Sequence, residues 1–203
     1  MFSVSGVSLS ISNFPKTLTA RQVEFDMINI TRGTSHAEAN LRHLLGALFI
    51  QTHGFGPFIL KDHFRQKFNK EISLTKLKEL LRLPSSGVTI HSNTQITVSD
   101  SVNWVFNEAC RIASDLGQDE VGSGEILVAF LKFFDKQIEG IQPKIQGKDE
   151  TRKFFHHQAE KQYIQVSYSD EIELLRALLC GLDSEKVRSA IKSQYDRFSF
   201  YRR

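Results

Sequence analysis

Histidine is the residue type in this chain best suited to bind a metal or transfer protons, and there are seven. None of them belongs to an HExxH motif or has a cysteine at metal-ligand spacing. His156 and His157 are adjacent, so a helix would point them to different sides. We therefore expect solvated or hydrogen-bonded imidazoles, no metal and no cofactor.

A serine nucleophile and a carboxylate pair are the other candidates for catalysis. Ser123 lies in Gly-Ser-Gly, but the nucleophile-elbow spacing GxSxG is absent because position 121 is Val. A helix cap is the better interpretation of Ser123. Asp119 and Glu120 fall in a predicted exposed turn, whereas a catalytic pair needs desolvation. We therefore expect that the chain is not an enzyme.

Composition and charge narrow the class of protein and the compartment. Cys110 and Cys180 lie in apolar helical patterns without a CxxC motif, which predicts free buried thiols and a cytoplasmic location. The N-terminal residues do not resemble a secretory signal, and the longest uncharged apolar stretch is interrupted by Gln, His, Gly and Pro. The net charge is only +3, and the basic residues of segment 61–70 do not share one helix face. No membrane partner is expected, and nucleic acid is disfavoured as a partner.

The strongest pattern is an internal repeat. The stretch GQDEVGSGEILVAFL (117–131) begins 82 residues after a looser copy, SHAEANLRHLLGALF (35–49). In the second copy, SVNWVFNEACRIASDLG predicts an amphipathic helix, capped by Ser99 or Ser101 and ended by Gly117, before a buried EILVAFL helix. In the first copy, Ser35 and Glu38 have capping-box spacing before the apolar run LLGALF. Each copy is therefore predicted to pair a helix with a second, more buried helix.

Extended segments flank the helices. Phe2 and Val4 alternate with serine and predict an N-terminal strand. Residues 88–98 alternate around a polar HSNTQ turn and predict a hairpin, which the N-terminal strand joins or helices cover. The predicted fold is mainly α: two pseudo-repeated four-helix halves with a small added hairpin or sheet.

The repeat motifs NLRHLLGALF (40–49) and GSGEILVAFL (122–131) resemble those of the double-repeat N-terminal domain of Clp-type AAA+ unfoldases. The closing stretch LLRALLCGLDSEKVRSAIKSQ also resembles the last helices of that family. The acid that helps some members to hold phosphorylated arginine corresponds to Arg42 and Gly124, which argues against that ligand here. Gly147-Lys148 is not part of a Walker A loop, so the resemblance is to the N-domain and not to the ATPase modules.

The predicted organisation follows from the repeat. An N-terminal extension (1–16) precedes the double repeat (17–193), and a basic aromatic tail (194–203) follows it. Within the repeat, the halves are 17–84 and 100–193, joined by the hairpin linker 85–99, and the second half carries an insertion at 135–168.

The functional hypothesis is a non-enzymatic protein-interaction module, as the resemblance implies. Its partner would be a polypeptide, and it would act as an adaptor or regulator of a Clp-type unfoldase or protease. Docking is expected in the crevice between the repeats, or on the added strands and insertion. The alternatives are a regulatory or effector-like protein with an unrelated partner and, less favoured, a small hydrolase. The candidate partner-binding residues are Arg42, His43, Ser123, Glu125, Phe130 and Phe133.

Overall fold

A computed structural model describes residues 14–34, 36–83, 96–138 and 170–200, with side chains placed up to 135 and up to 197 in the last two segments. The first half contains α1 (Leu18–Gly33), α2 (Leu41–Ile50), α3 (Phe55–Phe68) and α4 (Leu74–Leu80). The second half contains α5 (Asp100–Asp115), α6 (Ser123–Ile138), α7 (170–179) and α8 (Ser184–Phe200). Two short strands, β1 (Glu38–Ala39) and β2 (Thr97–Val98), pair in parallel. The prediction of a mainly α fold with a small added sheet is confirmed.

Equivalent residues begin the first helix of each half. The hydroxyl of Thr17 accepts from the Ala20 N–H at 3.2 Å, and the hydroxyl of Ser99 accepts from the Val102 N–H at 3.4 Å. Thr17 and Ser99 are 82 residues apart, which is the period of the sequence repeat. Of the two caps predicted for α5, Ser99 is therefore the correct one, and Gly117 (φ 67°) ends the helix as predicted.

The parallel pairings reveal an approximate two-fold relation between the halves. Lys16 pairs with Val121, and Val98 pairs with Ala39. Adding the period of 82 to Lys16 gives Val98, and adding it to Ala39 gives Val121. The segment before each half's first helix therefore pairs with the segment before the other half's second helix, and this exchange locks the two halves together.

The core lies around the two central helices, α2 and α6. Helix α6 is buried on nearly all sides from Ser123 to Phe134 because α1, α3, α5 and α8 all pack against it. Helix α5 buries one stripe, as its spacing of three and four predicts: Val102, Val105, Phe106, Ala109, Ile112 and Ala113. The predicted buried second helix of each repeat is thus the centre of its half.

The structure corrects two local expectations. Ser35 does not begin a capping box, because Glu38 lies in β1 and α2 begins at Leu41 with Asn40 as its cap. The cysteines are free but not buried: Cys110 is half-buried and Cys180 is exposed.

Three predicted segments meet the structure only in part. Val98 pairs with Ala39, while the other arm of the predicted hairpin lies outside the described residues, as do the N-terminal strand and most of the insertion. Residues 194–200, assigned to a tail, continue α8. Among the described helices, none combines the length and apolar character needed to cross a membrane.

Candidate functional site

The first candidate position is the start of α2, where His43 is fully buried. The Asn40 backbone N–H donates to His43 Nδ1 at 3.1 Å, so the proton of the neutral ring is on Nε2. Nε2 lies 3.1 Å from Thr34 Oγ1 and 3.0 Å from His36 Nδ1. Burial lowers the pKa of His43 to about 3, and the charges of His36 and Arg42 add to the effect. His43 is therefore a neutral capping residue and not a proton carrier at neutral pH.

Glu125 holds the equivalent position at the start of α6, 82 residues later, and is also fully buried. The Gly122 N–H donates to Glu125 Oε2 at 2.9 Å, which repeats the bond from Asn40 to His43. The hydroxyl of Tyr195 on α8 donates to Glu125 Oε1 at 2.8 Å. Burial, followed by the adjacent Glu125 carboxylate, raises the pKa of Tyr195. Both carboxylate oxygens are thus used to fix helices α6 and α8.

Arg42 and Ser123, the other polar candidates, also make structural contacts. Arg42 Nε lies 3.8 Å from Glu171 Oε1, an ion pair too long to be a hydrogen bond, and the Arg42 backbone N–H donates to the same oxygen at 3.3 Å. Burial raises the pKa of Glu171, and the Arg42 charge opposes that shift. Ser123 is buried beneath Gly54 and Gly56 of the α3 start, where an added Cβ would overlap it.

The six predicted residues do not form one site. Arg42 and His43 lie at the start of α2, whereas Ser123 and Glu125 lie at the start of α6. Phe130 and Phe133 are 0% and 2% exposed, so they are core residues that no partner can contact in this conformation. Across the described segments, no group of three or more His, Cys, Asp or Glu residues is arranged to hold a metal ion.

A pocket that the sequence did not predict lies on the first half. It encloses about 560 Å³ between the end of α2, one face of α3 and the α3–α4 connection. We call it the Phe58 pocket, and it is lined by Phe49, Ile50, Phe58, Lys61, Asp62, Arg65, Glu71, Ile72 and Leu74. Phe58 is 68% exposed and Leu74 is 38% exposed. Large apolar side chains therefore lie at the surface of a concave site, which is typical of binding sites.

The second half shows that the fold does not require this exposure. Helices α4 and α8 are equivalent, because their capping residues Ser73 and Asp183 are 110 residues apart and each accepts from the N–H three residues on. The equivalent of Leu74 is therefore Ser184, which donates to Asp135 at 2.6 Å. The equivalent of Ile50 is Lys132, which pairs with Glu185 at 3.4 Å. Polar contacts thus occupy in one half the place where the other exposes apolar side chains.

The sequence contained a usable signal for Phe58. Helix α3 buries Pro57, Leu60 and Phe64, which are spaced by three and four. Phe58 follows Pro57 by one residue, so it turns about 100° away from the buried stripe. An apolar residue on the outward face of an amphipathic helix is the pattern to look for.

Comparisons with known proteins add little. No family model matches the chain, and no curated protein does. One solved structure that superposes on it comes from preliminary structural investigations of a malarial protein secretion system, with a TM-score of 0.46 and 16% sequence identity over 82% of this chain and 97% of that one. A likeness this weak carries no argument.

Proposed function

We propose that the chain is a non-enzymatic protein-interaction module that binds a polypeptide segment by receiving an apolar side chain in the Phe58 pocket. Bound in this way, the segment belongs to a substrate or partner of a Clp-type unfoldase or protease, for which the chain is an adaptor or regulator. The adaptor role rests on the resemblance of the repeat motifs, and the binding role rests on the pocket.

The observation that carries the proposal is the difference between the two halves at equivalent positions. Leu74 is 38% exposed on the first half, whereas Ser184 is buried and hydrogen-bonded on the second. Exposing Ile50 and Leu74 beside Phe58 leaves apolar surface in water, at a cost of roughly 25 cal/mol per Å² relative to burial. Since the same scaffold closes this position with polar contacts elsewhere, a bound apolar group is the simplest reason for the exposure.

The shape and walls of the pocket favour a side chain of a polypeptide. A volume of about 560 Å³ lies within the range of roughly 300–1,000 Å³ typical of binding clefts. Phe58 and Leu74 supply the apolar contacts, and charged side chains of α3 stand around them. An apolar centre with a polar rim is the usual anatomy of a protein interface. Exposed aromatic residues at such a centre commonly dominate the binding energy.

The binding role is tested by selection of peptides. Random 12-residue peptides displayed on phage are selected on the full chain, and an enriched peptide is then measured by fluorescence anisotropy. Phe58→Ser should weaken binding about thirtyfold, as expected for a residue worth about 2 kcal/mol. Phe25→Ser is the matched control, because Phe25 is 51% exposed on α1 and is not part of the pocket. Its effect should stay below about twofold.

Both variants replace an exposed phenylalanine, so their far-UV circular dichroism and thermal unfolding should match the wild type. Failure to enrich any peptide, or equal affinity of the wild type and Phe58→Ser for the enriched peptide, would exclude the pocket as the binding site.

The adaptor role needs a separate measurement. Tagged wild-type protein and Phe58→Ser are purified from the native cells under mild conditions, and associated proteins are identified by mass spectrometry. Recovery of an unfoldase or its peptidase with the wild type supports the adaptor role. If neither is recovered although the peptide still binds, the adaptor role is rejected and the binding role stands.

A further inference from the structure

The Phe58 pocket lies on the most basic part of the chain. Residues 61–83 contain seven lysines and arginines against three acids, a net charge of +4. The whole chain carries +3, so everything outside this segment sums to −1. The positive charge of the protein is thus concentrated on α3, α4 and their connection, which are the elements that form one side of the pocket.

Two cations stand in the pocket wall. Lys61 Nζ donates to the Gln51 carbonyl at 2.5 Å and lies 5.9 Å from the centre of the Phe49 ring, so its charge is held at the edge of the apolar floor. Arg65 lies one turn further along α3, and its side chain is 62% exposed. Lys70 is exposed and adjoins Glu71 of the lining. Together these residues surround the pocket with positive charge.

The acids of the lining do not reverse this balance. The carboxylate of Asp62 is already engaged, because Arg65 pairs with it and Gln66 Nε2 donates to it at 2.7 Å. Glu71 is exposed beside Lys70. At moderate ionic strength the field of neighbouring charges extends about 10 Å, which includes the rim as a whole.

From this charge pattern we infer that the segment bound at the Phe58 pocket is acidic: a large apolar side chain enters the pocket, and Asp or Glu residues flank it against Arg65 and Lys70. This inference rests on the proposed function, because it names the kind of polypeptide that the same pocket selects. A nucleic acid would also be attracted by the charge. The apolar floor formed by Phe49, Ile72 and Leu74 favours an aliphatic or aromatic side chain over a sugar-phosphate backbone.

The composition of selected peptides gives the first test. Peptides enriched on the full chain should contain more Asp and Glu than the unselected library. In an enriched peptide, replacing every Glu by Gln and every Asp by Asn should weaken binding about tenfold at low salt. The difference should shrink as salt is raised, since the charges are exposed.

Charge variants of the protein locate the effect. Arg65→Gln combined with Lys70→Gln should weaken the acidic peptide roughly fivefold and leave its neutralised counterpart nearly unchanged. The matched control is Lys186→Gln combined with Lys192→Gln, two exposed lysines of α8 whose replacement should leave both affinities unchanged.

The outcomes separate the two proposals. If enriched peptides carry no excess of acids, or neutralisation changes affinity less than twofold while Phe58→Ser still weakens binding, the acidic specificity is wrong and the binding role stands. If no Phe58-dependent peptide is found, both are wrong. If a 12-nucleotide single-stranded DNA binds more tightly than the acidic peptide and depends on Phe58, the surface is a nucleic-acid site and both are again overturned.

Discussion

His43→Gln should remove the main source of acid sensitivity near neutral pH. In the wild type, His43 Nδ1 accepts from the Asn40 N–H, and the ring is fully buried. A glutamine can accept the same bond through its side-chain oxygen, as in an ordinary capping box, but it does not titrate. The substitution therefore separates the cap from the proton equilibrium of the imidazole.

The magnitude follows from the lowered pKa. An unfolded histidine titrates near pH 6.5, whereas burial lowers the pKa of His43 to about 3 in the folded chain. Below pH 6.5 the unfolded state binds a proton that the folded state refuses, so stability is present above this pH and is lost as pH falls toward 3. Linkage gives a loss of about 0.2 kcal/mol at pH 7 and about 2 kcal/mol at pH 5.

The assay is urea unfolding at pH 7 and pH 5, followed by circular dichroism. The free energy of unfolding of the wild type should fall by about 2 kcal/mol more than that of His43→Gln between these pH values. His36, whose pKa is lowered by burial and then by Arg42, is present in both proteins and largely cancels in the difference. His43→Ala is the control for the cap, since it should be less stable than His43→Gln at both pH values. Equal losses for the wild type and His43→Gln would show that the buried ring accepts a proton in the folded protein.

Three further predictions concern packing. Tyr195→Phe removes a donor to the buried Glu125 and should cost about 1–2 kcal/mol in urea unfolding; because the pKa of Tyr195 is raised, the wild type should lose more stability than the variant above about pH 10. A Cβ at Gly56 would overlap the Ser123 carbonyl, so Gly56→Ala should lower the melting temperature by several degrees, whereas Gly33→Ala, with open space, should not. Phe133→Asp places a charge at a site only 2% exposed, and circular dichroism should show an unfolded chain.

The repeat was predictable because it is written in apolar spacing. The 82-residue period fixes which helices are equivalent, and the buried run EILVAFL becomes the centre of its half. The capping position of α2 was predicted wrongly because Ser35 and Glu38 have the spacing of a capping box, while Glu38 is engaged in the parallel pair with Thr97. Long-range pairing overrode a local signal, and single-sequence patterns carry no information about it.

The candidate site was less predictable than the fold. Phe130 and Phe133 were apolar residues on a helix, and sequence alone did not separate a core residue from a groove residue. His43 and Glu125 were correctly placed as equivalent positions, but only the coordinates show that both are consumed by backbone caps. The Phe58 pocket forms from segments that are distant in sequence, Phe49 and Leu74 among them, so no local motif marks it.

The exchanged pairings of Lys16 with Val121 and of Ala39 with Val98 have a consequence for assembly. Every such bond joins one half to the other, so two copies of the chain can trade halves and rebuild the same bonds between molecules. Monomer and exchanged dimer then share one set of interfaces and differ in the path of the connection between halves. High protein concentration during refolding therefore favours an intertwined dimer, in which each Phe58 pocket is preserved and two are carried by a single particle.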